Sequence, residues 1–369
     1  MMKIFYIDPQ SYNNLADYDR YLLSNIDVDK YFFCSEKFNF EISGNTKIDK
    51  CFCYNSLIGF RKIISYIKSI IYVLKNVKKH KPEIIHFQWL KIPQFDYFVL
   101  KNIKRVSRKT KIIFTAHNIL PHNTGNKYKK IYEKIYSFID GIIVHGNKTK
   151  DNLLQKFSID KNKVVVIPHG FLPREKKEKQ KKDDGDFITF SIIGSLSKYK
   201  GVDLLVEAWC TSEQLLESKN CKLLIAGAGK MDCLENIPLN KNIELVNRFL
   251  SDEELDEIIE KTDISILPYR VISQSGVLLT MLAENKPVIV SNVGDITQPF
   301  EFAKCGWILE NIEVETIRNL LESIVKDKSE YTKIKNDTKM WAEIKQFYSW
   351  EDIGKKTQIF YAKEMDLNE

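Results

Sequence analysis

Short apolar runs of strand character alternate with longer amphipathic stretches through this chain, and the series halts once and then restarts. The first set is KIFYI (3–7), EIIHF (83–87), KIIFTA (111–116), GIIVH (141–145) and KVVVI (163–167). Near-continuous apolar character suits parallel strands buried on both faces. Between them, residues 60–80 and 127–139 carry apolar side chains at helical spacing, so the pattern is one of βαβ units. The segment 173–186 (PREKKEKQKKDDGD) is charged and almost free of large apolar residues, and it reads as a linker or exposed loop. A second series follows: FITFSIIG (187–194), KLLIAG (222–227), IELV (243–246), ISILPY (264–269) and PVIVS (287–291), with helical segments at 203–218, 251–262 and 276–284. The expectation is an α/β protein of two tandem Rossmann-like domains, 1–172 and 187–345, facing across a cleft that is the default ligand site. A last helical stretch, 349–365, has no strand after it and is free to pack back on the first domain.

Length and composition agree with two globular domains. The chain has 369 residues, 44% aliphatic or aromatic and 28% charged, enough for two separate cores and too apolar for general disorder. The seven cysteines form no Cys-x-x-Cys pair, and Cys51 and Cys53 are too close for ordinary zinc spacing. They read as reduced thiols in a cytoplasmic protein. Before Asp8 the apolar run is four residues, too short for a signal peptide, and no run of about 18 apolar residues follows. The net charge of +7 is unevenly shared. Residues 1–172 hold 29 Lys/Arg against 14 Asp/Glu, while the remainder holds 27 against 35. A basic first half suits a phosphate-bearing ligand or an anionic membrane surface. Solvated lysines account for it equally well.

Two segments of the second half are built to seat anions. GSLSKYKG (194–201) lies between a strand and the helical run that begins at Val202. A glycine-bearing turn at a helix start exposes backbone N–H groups and the positive end of the helix dipole, and Lys200 adds a full charge. The segment has neither the P-loop order nor a G-x-G-x-x-G fingerprint. Alone, it reads also as an ordinary βα turn. The loop Ser273-Gln274-Ser275-Gly276 likewise stands between a strand and an apolar helix, with Ser275, Gly276 and Val277 at the start. Both segments follow strands, so both point to one crevice, where a diphosphate would lie. KLLIAGAGK (222–230) adds Gly227 and Gly229 in a tight turn, and Ser251 with Glu254 forms a capping-box pattern.

In their order and spacing these segments resemble the GT-B glycosyltransferases, specifically the retaining family 4 type with a "QSGV" loop. The resemblance is carried by TAHN (115–118), VIPHG (166–170), KG (200–201), LLIAGAG, SDEEL, LPY…SQSGVLL…PVIVSNVG and the terminal SWEDI…Y. It implies that Lys200 contacts the donor diphosphate, together with Gly194, Ser195, Gln274, Ser275, Gly276 and Val277. It implies that His117 lines the reaction centre, so His117 and Lys200 are the expected catalytic pair. Gly227, Arg248, Phe249 and Thr280 are the expected contacts of base and ribose. The chain departs from the family at two points. Ser195 stands where an arginine is frequent, and Thr280 stands where a ribose-holding glutamate is frequent.

The expected activity is transfer of a sugar from a UDP- or GDP-sugar to a glycan or lipid-linked oligosaccharide in bacterial polysaccharide synthesis. Retention of configuration is implied by the resemblance alone. No cofactor and no metal are expected, because Lys200 and helix-terminal N–H groups can stabilise a departing diphosphate. The loop after the first strand makes Asp8 and Tyr12, with Asn118, the acceptor candidates. The cationic amphipathic stretch 60–81 suits the inner face of a membrane, or else is a sheet-covering helix with a wet lysine face. A nucleotide-sugar epimerase of the same fold and a non-catalytic nucleotide-sugar-binding partner subunit are the rival readings. A nucleic-acid-binding role is not expected, since the lysines are not interleaved with aromatics.

Overall fold

The computed structural model describes residues 2–54, 56–121, 125–172, 187–235, 237–238 and 242–366, so the charged segment 173–186 lies outside the described residues. The chain divides into two compact units, Met1–Gly170 with Tyr348–Glu369, and Phe171–Phe347.

The first unit is built on seven strands: β1 (Lys3–Asp8), β2 (Asp29–Ser35), β3 (Thr46–Phe52), β4 (Ile84–Phe87), β5 (Lys111–Thr115), β6 (Gly141–Val144) and β7 (Val164–Val166). They pair in the order β3-β2-β1-β4-β5-β6-β7, all parallel. The second unit has six, β8 (Ile188–Ile193), β9 (Cys221–Ala226), β10 (Ile243–Val246), β11 (Ile264–Leu267), β12 (Val288–Ser291) and β13 (Gly306–Leu309). Their order is β10-β9-β8-β11-β12-β13, again parallel. Strand order reverses between β1 and β4 in one sheet and between β8 and β11 in the other. At such a switch point the flanking connections leave to opposite faces, and a crevice opens beyond the strand C-termini. The residues placed there are Asp8 and Gln88 in the first unit, Gly194 and Tyr269 in the second.

The central strands are buried along their whole length, which explains why they carry so few polar residues. Helices cover both faces of each sheet through apolar stripes. In Phe60–His80 the stripe is Tyr66, Ile70, Val73 and Val77, packed against Phe5, Ile85 and Leu100. The expected helix over 203–218 is two pieces, Val202–Cys210 and Glu213–Leu216. Ser212 breaks it, accepting the N–H of Leu215 and so capping the second piece. Strands β2, β3 and β13 lie outside the runs read as strands: β2 opens on the charged pair Asp29-Lys30, Lys47, Asp49 and Lys50 interrupt β3, and β13 is only four residues long.

The helix Trp350–Asp366 belongs to the first unit and closes its face. Trp350 packs edge-on against Tyr18 with ring centroids 5.3 Å apart and stacks on Tyr21 at 5.8 Å. Gly354 permits the close approach, since a Cβ there would lie 2.1 Å from the carbonyl oxygen of Asn25. Gly354→Ala therefore forces the helix away from the helix Asn14–Ser24. The expected loss is about 1–3 kcal/mol of stability, as in other overpacked cores. Urea unfolding followed by tryptophan fluorescence measures it, and a wild-type midpoint would show that this approach is not tight.

Candidate functional site

In the second unit the chain leaves β8 through Gly194, whose φ is +106°. A side chain there is disfavoured by this positive φ and by the Lys200 ammonium. Its Cβ would lie 2.9 Å from Nζ of Lys200, and the Gly194 carbonyl is approached so closely by Gly227 that a Cβ on Gly227 would be 1.9 Å from it. Gly227 thus packs backbone on backbone beneath the turn. A short 3₁₀ turn, Lys198–Lys200, then brings the lysine back over Gly194. Its ammonium sits 5.6 Å from the ring centroid of Tyr269, a buried residue just past β11. Among the described residues no carboxylate lies within ion-pair distance of Lys200, and burial alone moves its pKa down.

The Tyr269 hydroxyl lies 3.3 Å from Oγ of Ser275, which caps the helix Gly276–Ala283 by accepting the N–H of Leu278. First-turn N–H groups have no intrahelical acceptor, and the space before Gly276 is open. Val277 Cγ2 would be 3.6 Å from a Cβ on Gly194, so both loops meet at one point. Gly194, Lys200, Ser275, Gly276 and Val277 are brought together, with Gln274 half-buried beside them. Ser195 is exposed at the rim. Thr280 lies one turn along the helix from Gly276. Arg248 is engaged elsewhere: Glu254 of the capping box grips it with oxygens at 2.5 and 2.7 Å. Phe249 is 90% exposed. Arg270, which the sequence did not single out, holds Asp203 through two bonds of 2.7 and 2.9 Å and so fixes the lysine turn to the loop after β11.

In the first unit His117 joins a chain of buried polar side chains collected from the ends of β4, β5, β6 and β7. His145 Nδ1 is 2.9 Å from the carbonyl oxygen of Ile167 and must donate to it. Its Nε2 then accepts from His117 Nδ1 at 3.0 Å, which leaves His117 Nε2 bare and facing the Gln88 amide at 2.9 Å. Neutral rings are matched when that amide turns its N–H₂ toward His117. His86 continues the chain to Thr115 (2.7 Å) and to the hydroxyl of Tyr361 (2.6 Å). Trp89 stacks on His117 with centroids 4.7 Å apart and planes within 11°. Burial holds all of these rings neutral: His86 and His145 are pushed down to about 3 and His117 well below the usual value.

Asp8 is buried and turned inward, accepting the N–H of Gln10 and paired with the equally buried Asp19, which takes the hydroxyl of Tyr6 at 2.8 Å. Tyr12 is half-exposed with the Lys37 ammonium 5.9 Å from its ring. Asn118 lines a cavity of about 320 Å³ together with Gln10, Trp89, Lys91 and Tyr132. Gln88, Trp89 and Lys91 escaped sequence reading, although they directly follow the strand run EIIHF. Among the described residues no group of three His, Cys, Asp or Glu is arranged to hold a metal ion.

The buried carboxyls make a pH prediction. Burial raises Asp8 from 3.8 to about 7 and opposes ionisation of Asp19 as well. A raised carboxyl pKa means stability that is full below the unfolded value and is lost as pH rises through the folded one. Asp8→Asn keeps an oxygen for Gln10 and removes the charge. Its melting temperature relative to wild type should therefore climb between pH 4 and pH 8, and a flat difference would contradict the buried-carboxyl reading.

Residues 52–173 match the model of the family described as Glycosyltransferase Family 4, and residues 173–341 that of Glycosyl transferases group 1. An uncharacterized glycosyltransferase of Methanocaldococcus jannaschii is 25% identical over 313 residues, covering 78% of this chain and 77% of its own length. The UDP-Gal:alpha-D-GlcNAc-diphosphoundecaprenol alpha-1,3-galactosyltransferase of Escherichia coli is 22% identical over 287 residues, 72% of each chain. The phosphatidylinositol N-acetylglucosaminyltransferase gpi3 subunit of Schizosaccharomyces pombe is 22% identical over 258 residues, and the match takes in only 55% of that subunit. Anabaena HepE, solved in complex with UDP-glucose, shares the fold with a TM-score of 0.70 over the full length of both chains at 13% identity. Two parallel-sheet units and the two family matches that span them establish that this chain belongs to the GT-B glycosyltransferases.

Proposed function

We propose that this glycosyltransferase moves a sugar from a nucleoside diphosphate donor, a UDP-sugar in the first instance and a GDP-sugar otherwise, to a lipid-linked glycan of a bacterial surface polysaccharide. The observation that carries the reading is Lys200. A half-buried ammonium with no ion-paired carboxylate among the described residues, pressed on Gly194 and close to a capped helix start, suits an anion. A donor diphosphate supplies two phosphates at the correct chemical demand. As the bond from the anomeric carbon to the β-phosphate oxygen breaks, charge grows on the diphosphate, and Lys200 with the N–H groups of Gly276 and Val277 stabilises it. No metal is required for this step. The acceptor hydroxyl forms the new bond and passes its proton to the departing phosphate oxygen on the same face, which gives retention. His117, held neutral, acts as a hydrogen-bonding wall and not as a proton carrier.

The lipid-linked acceptor is suggested by the diphosphoundecaprenol substrate in the name of the Escherichia coli relative. The helix Phe60–His80 fits the same reading. Beside its buried stripe it exposes Phe60, Ile63, Ile64 and Ile71, preceded by the 90% exposed Ile58 and flanked by Arg61, Lys62, Lys68 and Lys75. No helix among the described residues is long and apolar enough to cross a membrane. We place the protein on the cytoplasmic face of the membrane, held by this apolar edge and its lysines.

Two experiments test these statements. Lys200→Ala should lower release of UDP from a UDP-sugar by on the order of 100-fold, the scale of losing one preorganised charge-stabilising donor. Wild-type turnover should persist in EDTA. Near-normal turnover by the variant would refute the phosphate grip, and loss in EDTA restored by manganese would refute the metal-free step. The protein should also sediment with phosphatidylglycerol vesicles at low salt, less so at high salt, and not with phosphatidylcholine. Unchanged sedimentation after Phe60→Ser with Ile64→Ser would remove the helix from the interaction.

A further inference from the structure

The cavity in the first unit has a chemistry that the donor site does not use. It measures about 320 Å³, within the range of small-ligand pockets, and lies between the ends of β4 and β5 and the helix Lys129–Phe138. Its walls are largely aromatic: Trp89, Phe114, Tyr128 and Tyr132. Its polar groups are unbalanced. Lys91 is exposed, and the hydrogen-bond partner of its ammonium is the side-chain oxygen of Gln10, not a carboxylate. The nearest acidic groups are Asp8 and Asp96, both themselves buried. Asp96 already accepts the hydroxyl of Tyr66 and the N–H of Ile92, each at 2.7 Å. At the same wall the indole Nε1 of Trp89 is buried and has no acceptor among the described residues. An ammonium bonded only to a neutral amide oxygen, and an indole N–H with no acceptor among the described residues, thus stand at the wall of an aromatic pocket. Leaving the buried indole N–H unpaired costs stability, and an anionic ligand that supplies it an acceptor recovers that cost and pairs the ammonium as well.

We propose that this pocket binds an anionic pyranose of the acceptor, with its phosphate or carboxylate on Lys91 and the Trp89 N–H and its ring against the aromatic wall. The proposal rests on the reading that the first unit holds the acceptor, and it adds the chemical class of the residue held there. Sugar faces suit aromatic walls because their C–H groups are apolar while their hydroxyls remain at the edge. An acidic group selects for ammonium and indole N–H over water. The two sources of the anion, a glycosyl phosphate and a uronic acid, share this chemistry.

The test uses the full chain carrying Lys200→Ala, which removes the competing phosphate seat in the second unit. Glucose 1-phosphate, glucuronic acid, glucose and inorganic phosphate are titrated by calorimetry. At least one of the two anionic sugars should bind with at least tenfold preference over both glucose and inorganic phosphate. Phosphate preferred over carboxylate identifies a glycosyl phosphate, and the reverse a uronic acid. Adding Lys91→Gln should erase the preference over glucose, on the order of tenfold to a hundredfold for a charge-assisted bond. Trp89→Phe, which keeps a ring and loses the N–H, should weaken the anionic sugar by a smaller factor. Glucose binding as tightly as the anionic sugars, inorganic phosphate binding equally well, or a preference surviving Lys91→Gln would each overturn the proposal. If Lys91→Gln lowers the melting temperature, Trp89→Phe decides: unchanged affinity there overturns the proposal too. UDP binding by the chain with Lys200 intact is measured in parallel and reports on the donor reading separately.

Discussion

An ammonium group taken partly out of water must be compensated, and the way Lys200 is compensated organises the second unit. A carboxylate would neutralise it and leave nothing for a ligand. The structure offers instead the face of Tyr269 and the dipoles of two nearby turns, which are weaker than an ion pair. That choice needs the lysine to come within contact of the β8 turn, and this is why position 194 has no side chain. It also needs the turn to be stiff. Gly227 packs under the Gly194 carbonyl from one side, and the Arg270–Asp203 pair ties the turn to the loop after β11 from the other. Preorganisation of this kind makes a positive site effective, because little rearranges when the anion arrives.

The first unit solves the corresponding problem with side chains. Its strand ends carry His86, Gln88, Thr115, His117 and His145, polar groups that are expensive to bury singly. They are tolerable because each finds a partner, from the Ile167 carbonyl through to the Tyr361 hydroxyl. A satisfied network in a low-dielectric setting is rigid, and its histidines stay neutral because protonation would introduce an unpaired charge. The C-terminal helix is part of this arrangement, since it supplies Tyr361 as well as the Trp350 ring against Tyr18.

What the sequence disclosed follows from how local each feature is. The central strands are legible because burial on both faces demands apolar runs, and Lys200 and Ser275-Gly276 are legible because a turn and the helix after it lie within ten residues. The capping box at Ser251 is local too. It also engages Arg248, an expected ribose contact, whose guanidinium is paired with Glu254 six residues on. The histidine chain was only glimpsed through His117, because its members are collected by sheet order from segments up to 275 residues apart. Strand β2 and the edge strand β3 were hidden by charged residues at the start of the one and along the other, and the aromatic cavity by the fact that its walls come from separate elements.

Both units use the same geometric opportunity, the crevice beyond the ends of parallel strands, but they fill it with different materials. In the second unit the polar groups are mostly backbone N–H, which no substitution removes while the turn is kept, and a single lysine. Such a site reads charge and geometry and is indifferent to most side-chain change. In the first unit the polar groups are side chains on strand ends, each replaceable without disturbing the sheet. A site of that kind can be altered one residue at a time. The division suits a transferase whose donor phosphates are common to many reactions and whose acceptor is particular to one. On the proposed assignment of the acceptor to the first unit, Gln88, Trp89 and Lys91 are positions where single substitutions change hydrogen bonding and charge while β4 and its neighbours remain in register.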